Sequence, residues 1–93
     1  MAIPVDAKDP QELLDYRVDW SGPLGGDTIV TSSWAVSEGT VTIGTPPSTK
    51  DTTSATAWVG GGLAGEIAIL TNTITTAGGR TYEQSIKIRV VQK

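Results

Sequence analysis

Cysteine and histidine are both missing from the 93-residue chain, and the two absences remove a large share of protein chemistry at once. Without thiols there is no disulfide framework and no thiolate zinc site, and without imidazole there is neither a His ligand nor a His base for a nucleophile. The lack of cysteine leaves the redox compartment open, because a thiol-free chain behaves alike in reducing and oxidising surroundings. Basic residues are few, 7 against 10 acidic ones for a net charge of -3, and no Lys or Arg run occurs. Binding to nucleic acid by phosphate neutralisation is therefore not expected. No apolar run approaches the ~20 residues of a membrane span, and Met1 to Asp6 lacks the basic start and hydrophobic core of a secretion signal. The product is expected to be soluble and made in the cytosol.

What is present is enough for one domain. A chain of this size buries a smaller share of its unfolded surface than a larger one, roughly 60% for ~60 residues against nearly 70% for ~150, so its single core stabilises modestly and docking or oligomerisation would add to it. Residues 1–12, with Pro4 and Pro10 among Asp6, Lys8, Asp9 and Glu12, have no sustained period and read as an extended arm preceding one domain over 13–93. Asp9-Pro10-Gln11-Glu12 also fits one helical turn, with Asp9 as its N-cap and Pro10 in first position.

Leu14 to Trp20 alternates without a break, sending Leu14, Tyr16, Val18 and Trp20 to one side and Asp15, Arg17 and Asp19 to the other, the pattern of a half-buried strand. Turn formers from Ser21 to Asp27 end it. Thr28 to Val36 is rich in β-branched residues, with Val30, Trp34 and Val36 sharing a face with Ser32 and Trp34 expected as a core anchor. Val41 and Ile43 form the inner side of a short strand after the turn at Ser37-Glu38-Gly39. Gly44 to Thr53, carrying Pro46-Pro47, suits an exposed loop or irregular edge, and strand character resumes from Ser54 to Val59. Gly60 to Gly65 is a flexible connection.

Residues 66–76 and 81–91 then read as a hairpin around Ala77-Gly78-Gly79-Arg80. With Gly78-Gly79 as the two central residues of a primed turn, Ile67 faces Val90, Ile69 faces Ile88 and Thr71 faces Ile86, while Glu83, Lys87 and Arg89 point away. The whole is all-β: a small antiparallel β-sandwich of immunoglobulin-like type, with six or seven short strands and the N-terminal arm.

Chemistry-bearing groups are sparse. Asp15 and Asp19 share a strand face but stand roughly 13 Å apart at ~3.3 Å per residue, too far for a glycosidase pair, which needs about 6.5–9.5 Å or less; a solvated face is the favoured reading. Asp27 is read as a turn cap, since calcium needs six to eight oxygens and the surrounding string offers one carboxylate. Neither glycine cluster opens a helix or precedes a suitably placed Lys, so no phosphate cradle is expected. Trp20 and Trp34 are assigned to the core. Trp58 shares parity with Ser54 and Thr56, and is read as either core or subunit contact. No catalytic residue, cofactor or metal site is expected.

The strings Lys8-Asp9-Pro10, Leu14-Asp15-Tyr16, Val18-Asp19-Trp20, Gly26-Asp27-Thr28-Ile29 and Ser32-Ser33-Trp34, followed by Thr71 to Thr76 and Gly78-Gly79-Arg80-Thr81, resemble short tailed-phage virion proteins of the fibre-tail adaptor or head-to-tail module type. The resemblance covers nearly the full chain. It implies a non-enzymatic structural part of a bacteriophage particle, located in the virion and made in the host cytoplasm. Such a part joins tail, fibre or connector subunits in multiple symmetric copies, through edge-strand pairing and the arm. Lys8, Asp9, Pro10, Trp58 and Tyr82 are the expected contact residues, with no nucleic acid and no membrane as partner. Two alternatives stand beside this: a carbohydrate- or surface-binding module using Trp58 or Tyr82 as stacking platforms, and a capsid decoration protein.

Overall fold

The computed structural model describes residues 5–93. Its elements in chain order are β1 (Val5–Lys8), β2 (Leu14–Asp19), a single helical turn α1 (Ser21–Leu24), β3 (Ile29–Glu38), β4 (Val41–Ile43), β5 (Thr49–Lys50), β6 (Ser54–Gly61), β7 (Ile67–Thr76) and β8 (Thr81–Val90). One four-stranded sheet runs β1-β8-β7-β3; the other runs β2-β6-β4, with β5 also on β6. Alternation in β2 puts Tyr16, Val18 and Trp20 inside and leaves Asp15, Arg17 and Asp19 exposed. They meet Ala57 and Val59 of β6, Leu70 and Ile74 of β7, and Ile86, Ile88 and Val90 of β8 in one core between the sheets. The chain is a small β-sandwich whose second, sixth and fourth strands form one layer and whose third, seventh and eighth form the other. That partition is the one of the immunoglobulin fold.

The final hairpin forms with Ile86, Ile88 and Val90 inward, yet its register differs from the expected one. Ala68 faces Ile88, Leu70 faces Ile86 and Ile74 faces Tyr82, so the even-numbered side of β7 is the buried one. The loop has three residues instead of two: Thr76 and Arg80 close it through Thr76 N–H to Arg80 O at 2.9 Å, and Gly79 N–H reaches Thr76 O at 3.0 Å. Gly79 takes a φ of 83°, the left-handed residue that ends a three-residue hairpin loop. Adding one loop residue shifts the pairing by one and exchanges the faces of β7. That strand tolerates the exchange because it carries apolar residues on both sides, Ile67 and Ile69 as well as Ala68, Leu70 and Ile74.

A second correction falls on β3. Its ladder with β7 slips between Ile29 and Thr31, and the extra residue reverses the alternation there. Ile29 is buried and Val30 is 53% exposed, the opposite of the expected placement. Beyond the slip Ser32, Trp34 and Val36 do share the inner side, where Trp34 is half-buried and packs against the core. The Gly44–Thr53 stretch is an exposed edge carrying only the two-residue β5.

The segment read as an arm is paired over its described part: β1 runs parallel to β8, with Lys8 opposite Val90. Residues 1–4 of that arm lie outside the described residues. Between the layers, Asn72 of β7 is fully buried. Its Oδ1 accepts from Trp20 Nε1 at 2.9 Å, and its Nδ2 donates to Ser32 Oγ at 3.0 Å and to Ser33 O at 2.9 Å. One amide thus joins the end of β2 to β7 and β3.

Candidate protein interface

The Lys8-Asp9-Pro10 string spends its polar atoms inside the chain. Lys8 is fully buried, and its Nζ donates to Asp9 O at 2.9 Å and to Gly61 O at 2.7 Å. Burial pulls its pKa below the ordinary lysine value, against the opposing charges of Glu12 and Asp9. The predicted turn forms reciprocally: Asp9 Oδ1 accepts from Gln11 N–H at 2.8 Å, while Glu12 Oε1 accepts from Asp9 N–H at 2.7 Å, the logic of a capping box.

The same two acids hold the chain's end. Asp9 Oδ2 accepts from Lys93 N–H at 2.8 Å, Lys93 Nζ lies 2.8 Å from Glu12 Oε1, and Val91 N–H reaches Lys8 O at 2.8 Å. Backbone N–H groups of Lys93 and Gln11 hold the Asp9 carboxyl below its usual range, and the Lys93 side chain does the same for Glu12. Lys8 and Asp9 are therefore structural ties between the two ends of the chain, and Pro10, half-buried on the turn, is the member of the string with surface to offer.

Asp27 acts as the expected cap and also reaches further. Its Oδ1 accepts from Thr28 N–H at 2.8 Å and from Gly78 N–H at 3.0 Å, and Arg80 Nη1 lies 3.2 Å from Oδ2. The turn before β3 is thereby tied to the tip of the β7–β8 hairpin, and the Thr76 side chain first, then the Thr28 and Gly78 N–H groups and Arg80, hold the Asp27 carboxyl below its usual range.

The two aromatic candidates separate. Tyr82 lies on the inner side of β8, its ring centroid 5.9 Å from that of Trp20, and packs against the core. Trp58 alternates with buried Ala57 and Val59 on β6 and stands half-exposed on the outer face, opposite Asp15 of β2. Leu13, 50% exposed, lies on the same face: its Cδ1 is 3.4 Å from where a Cβ on Gly60 would stand. With Asp15 and Arg17 this makes an apolar patch bordered by charges of both signs. Sequence reasoning passed over Leu13, although its shared parity with Asp15, Arg17 and Asp19 already set it on the outward side.

The family model described as podophage GP4 fiber-tail adaptor protein gp77 matches residues 8–89, from the buried lysine to the last strand. No curated protein matches the chain.

Proposed function

Because the chain belongs to the podophage GP4 fiber-tail adaptor family, we propose that it is a structural component of a tailed-phage virion that joins tail and fibre subunits through protein–protein contacts, in several copies. The observation that carries this is the family match over residues 8–89, which takes in β2 to β7 and nearly all of β8. The disposition of the side chains supports it. Lys8, Asp9, Asp27 and Asn72 are engaged in holding the fold, and Leu13 and Trp58 present apolar surface with a charged border, the composition of a contact patch. In this reading Trp58, Leu13 and Pro10 touch a neighbouring subunit. Lys8 and Asp9 contribute by fixing Pro10 and the chain's end in place, and Tyr82 contributes through the core.

The experiment is binding of the recombinant chain to isolated fibre and tail subunits of the same particle, followed by interferometry. Saturable binding to at least one of them is expected. Trp58→Ala and Leu13→Asp should weaken it about tenfold or more, the loss of a ~1.4 kcal/mol contact or larger, at unchanged far-UV circular dichroism. A chain that ignores both subunits ends the adaptor reading. Glycan binding abolished by Trp58→Ala would instead favour the surface-binding module, for which the outward Trp58 is the supporting observation.

A further inference from the structure

The described residues give the sandwich four edges, and three of them are guarded. β1 is four residues long, β4 and β5 are three and two, and β2 alternates Asp15, Arg17 and Asp19 outward. Short length and charge are how native sheets avoid pairing with another chain. β3 has neither. It is ten residues long and contains no Pro, Lys or Arg, and its only charge is Glu38 at the last position. Ladder irregularities between Ile29/Thr31 and Val36/Glu38 confine the regular part to residues 31–36.

Beside this edge the regular part of β3 and the β7 residues it pairs with are uncharged on both faces, the nearest outward charge being Glu83 on β8. Outward, Thr31, Ser33 and Ala35 are exposed and pair with Thr75, Thr73 and Thr71 of β7, which in turn face Thr81, Glu83 and Ser85 of β8. Inward, Trp34 and Val36 remain half-buried, and the Trp34 Nε1, though buried, has no hydrogen-bond partner among the described residues. A strand added to this edge would take up the ladder's open side and cover Trp34 and Val36 further.

The geometry points to a second copy of this chain as the occupant: we propose that β3 pairs antiparallel with β3 of a neighbour within residues 31–36, across a two-fold axis at Trp34 that sets Ser33 opposite the neighbour's Ala35, making one eight-stranded sheet from two of four. This rests on the reading of the protein as a multi-copy virion component. The segment is itself an uncharged, extended strand, and across a two-fold axis an identical edge meets it with no charge facing a charge. Each chain carries a net charge of -3, and none of it lies on residues 31–36, so the contact itself sets no like charges against each other.

Sedimentation equilibrium of the full-length chain, from micromolar to millimolar, should show a mass that doubles with concentration, with amides of 31–36 gaining hydrogen-exchange protection in step. Ser33→Lys with Ala35→Lys, and separately Ser33→Glu with Ala35→Glu, set like charges across the seam and should each weaken self-association about tenfold or more. Mixing the two variants should restore it, which also shows that both are folded. A wild-type chain that stays monomeric throughout overturns the proposal, as does a dimer that neither variant pair disturbs. A monomer that still binds fibre or tail sinks the seam and leaves the adaptor reading intact, whereas a dimer that binds neither does the reverse. Protection of 31–36 only on adding the fibre subunit would assign the edge to that partner and overturn self-pairing.

Discussion

Replacing Asn72 by Leu keeps the approximate volume of the side chain and removes every polar contact it makes. Trp20 Nε1 then loses its acceptor while Trp20 remains only 3% exposed, and a buried donor left without a partner costs about 1–3 kcal/mol. Ser32 Oγ and Ser33 O each lose one donor. The serine hydroxyl can turn elsewhere and the carbonyl is the smaller loss, so the whole change amounts to about 2–4 kcal/mol. Against a domain stability of about 5–15 kcal/mol, that corresponds to a Tm lowered by roughly 10–20 °C. Urea unfolding followed by far-UV circular dichroism gives the free energy directly.

The informative arm is the double variant. Trp20→Phe removes the donor but leaves the Asn72 oxygen buried, and the two substitutions together leave neither group orphaned. The pair should cost less than the sum of the singles by about 1–2 kcal/mol. Additive losses, or an Asn72→Leu change below about 0.5 kcal/mol, within the range of ordinary surface substitutions, would refute the claim that this amide joins the layers.

Two further outcomes follow from the same geometry. The carboxyls of Asp9, Glu12, Asp19, Asp27, Asp51 and Glu66 all titrate below their ordinary values because backbone and side-chain donors hold them ionised. Their contribution to stability is complete above the unfolded-chain values near 4 and is lost as the pH falls through the lower folded values, so urea midpoints should be steady above about pH 5 and drop progressively below pH 4. An unchanged midpoint down to pH 2 would contradict this. Gly39 has a φ of 93°, and a Cβ there would stand 2.8 Å from Ala68 Cβ and 2.9 Å from its Cα; Gly39→Ala should destabilise by at least ~1 kcal/mol, whereas Gly44→Ala, with a φ of 106° and open space around it, should cost less in a matched thermal melt.

How far the chain could be read in advance varies along it. The β2 alternation, the inward Ile86, Ile88 and Val90, the turn at Asp9 and the cap at Asp27 are local consequences of residue order, and they stand in the structure as the residues dictate. The hairpin register does not share that property. Ala77-Gly78-Gly79 supports a loop of two residues or of three, and β7 has apolar side chains on both faces, so neither the turn nor the pattern discriminates. The Asp27 carboxylate, 51 positions away from Gly78, is part of what fixes that loop. The family likeness was carried by short strings whose physical roles the sequence left hidden: Lys8-Asp9-Pro10 reads as exposed because lysine and aspartate seldom bury unpaired, and only the folded chain supplies the Gly61 carbonyl and the Lys93 amide that satisfy them.

Alternation and turn chemistry by themselves determined that this protein is a two-layer β-sandwich and which side of β2 and β8 faces its core, because those properties depend on neighbours one to four residues apart. Tertiary structure alone decided the slip in β3, the face of β7, the parallel docking of β1, the burial of Lys8 and Asn72, and the unguarded edge at residues 31–36. Each of these depends on a partner tens of residues away, and the energy that selects among the local alternatives comes from that distant contact.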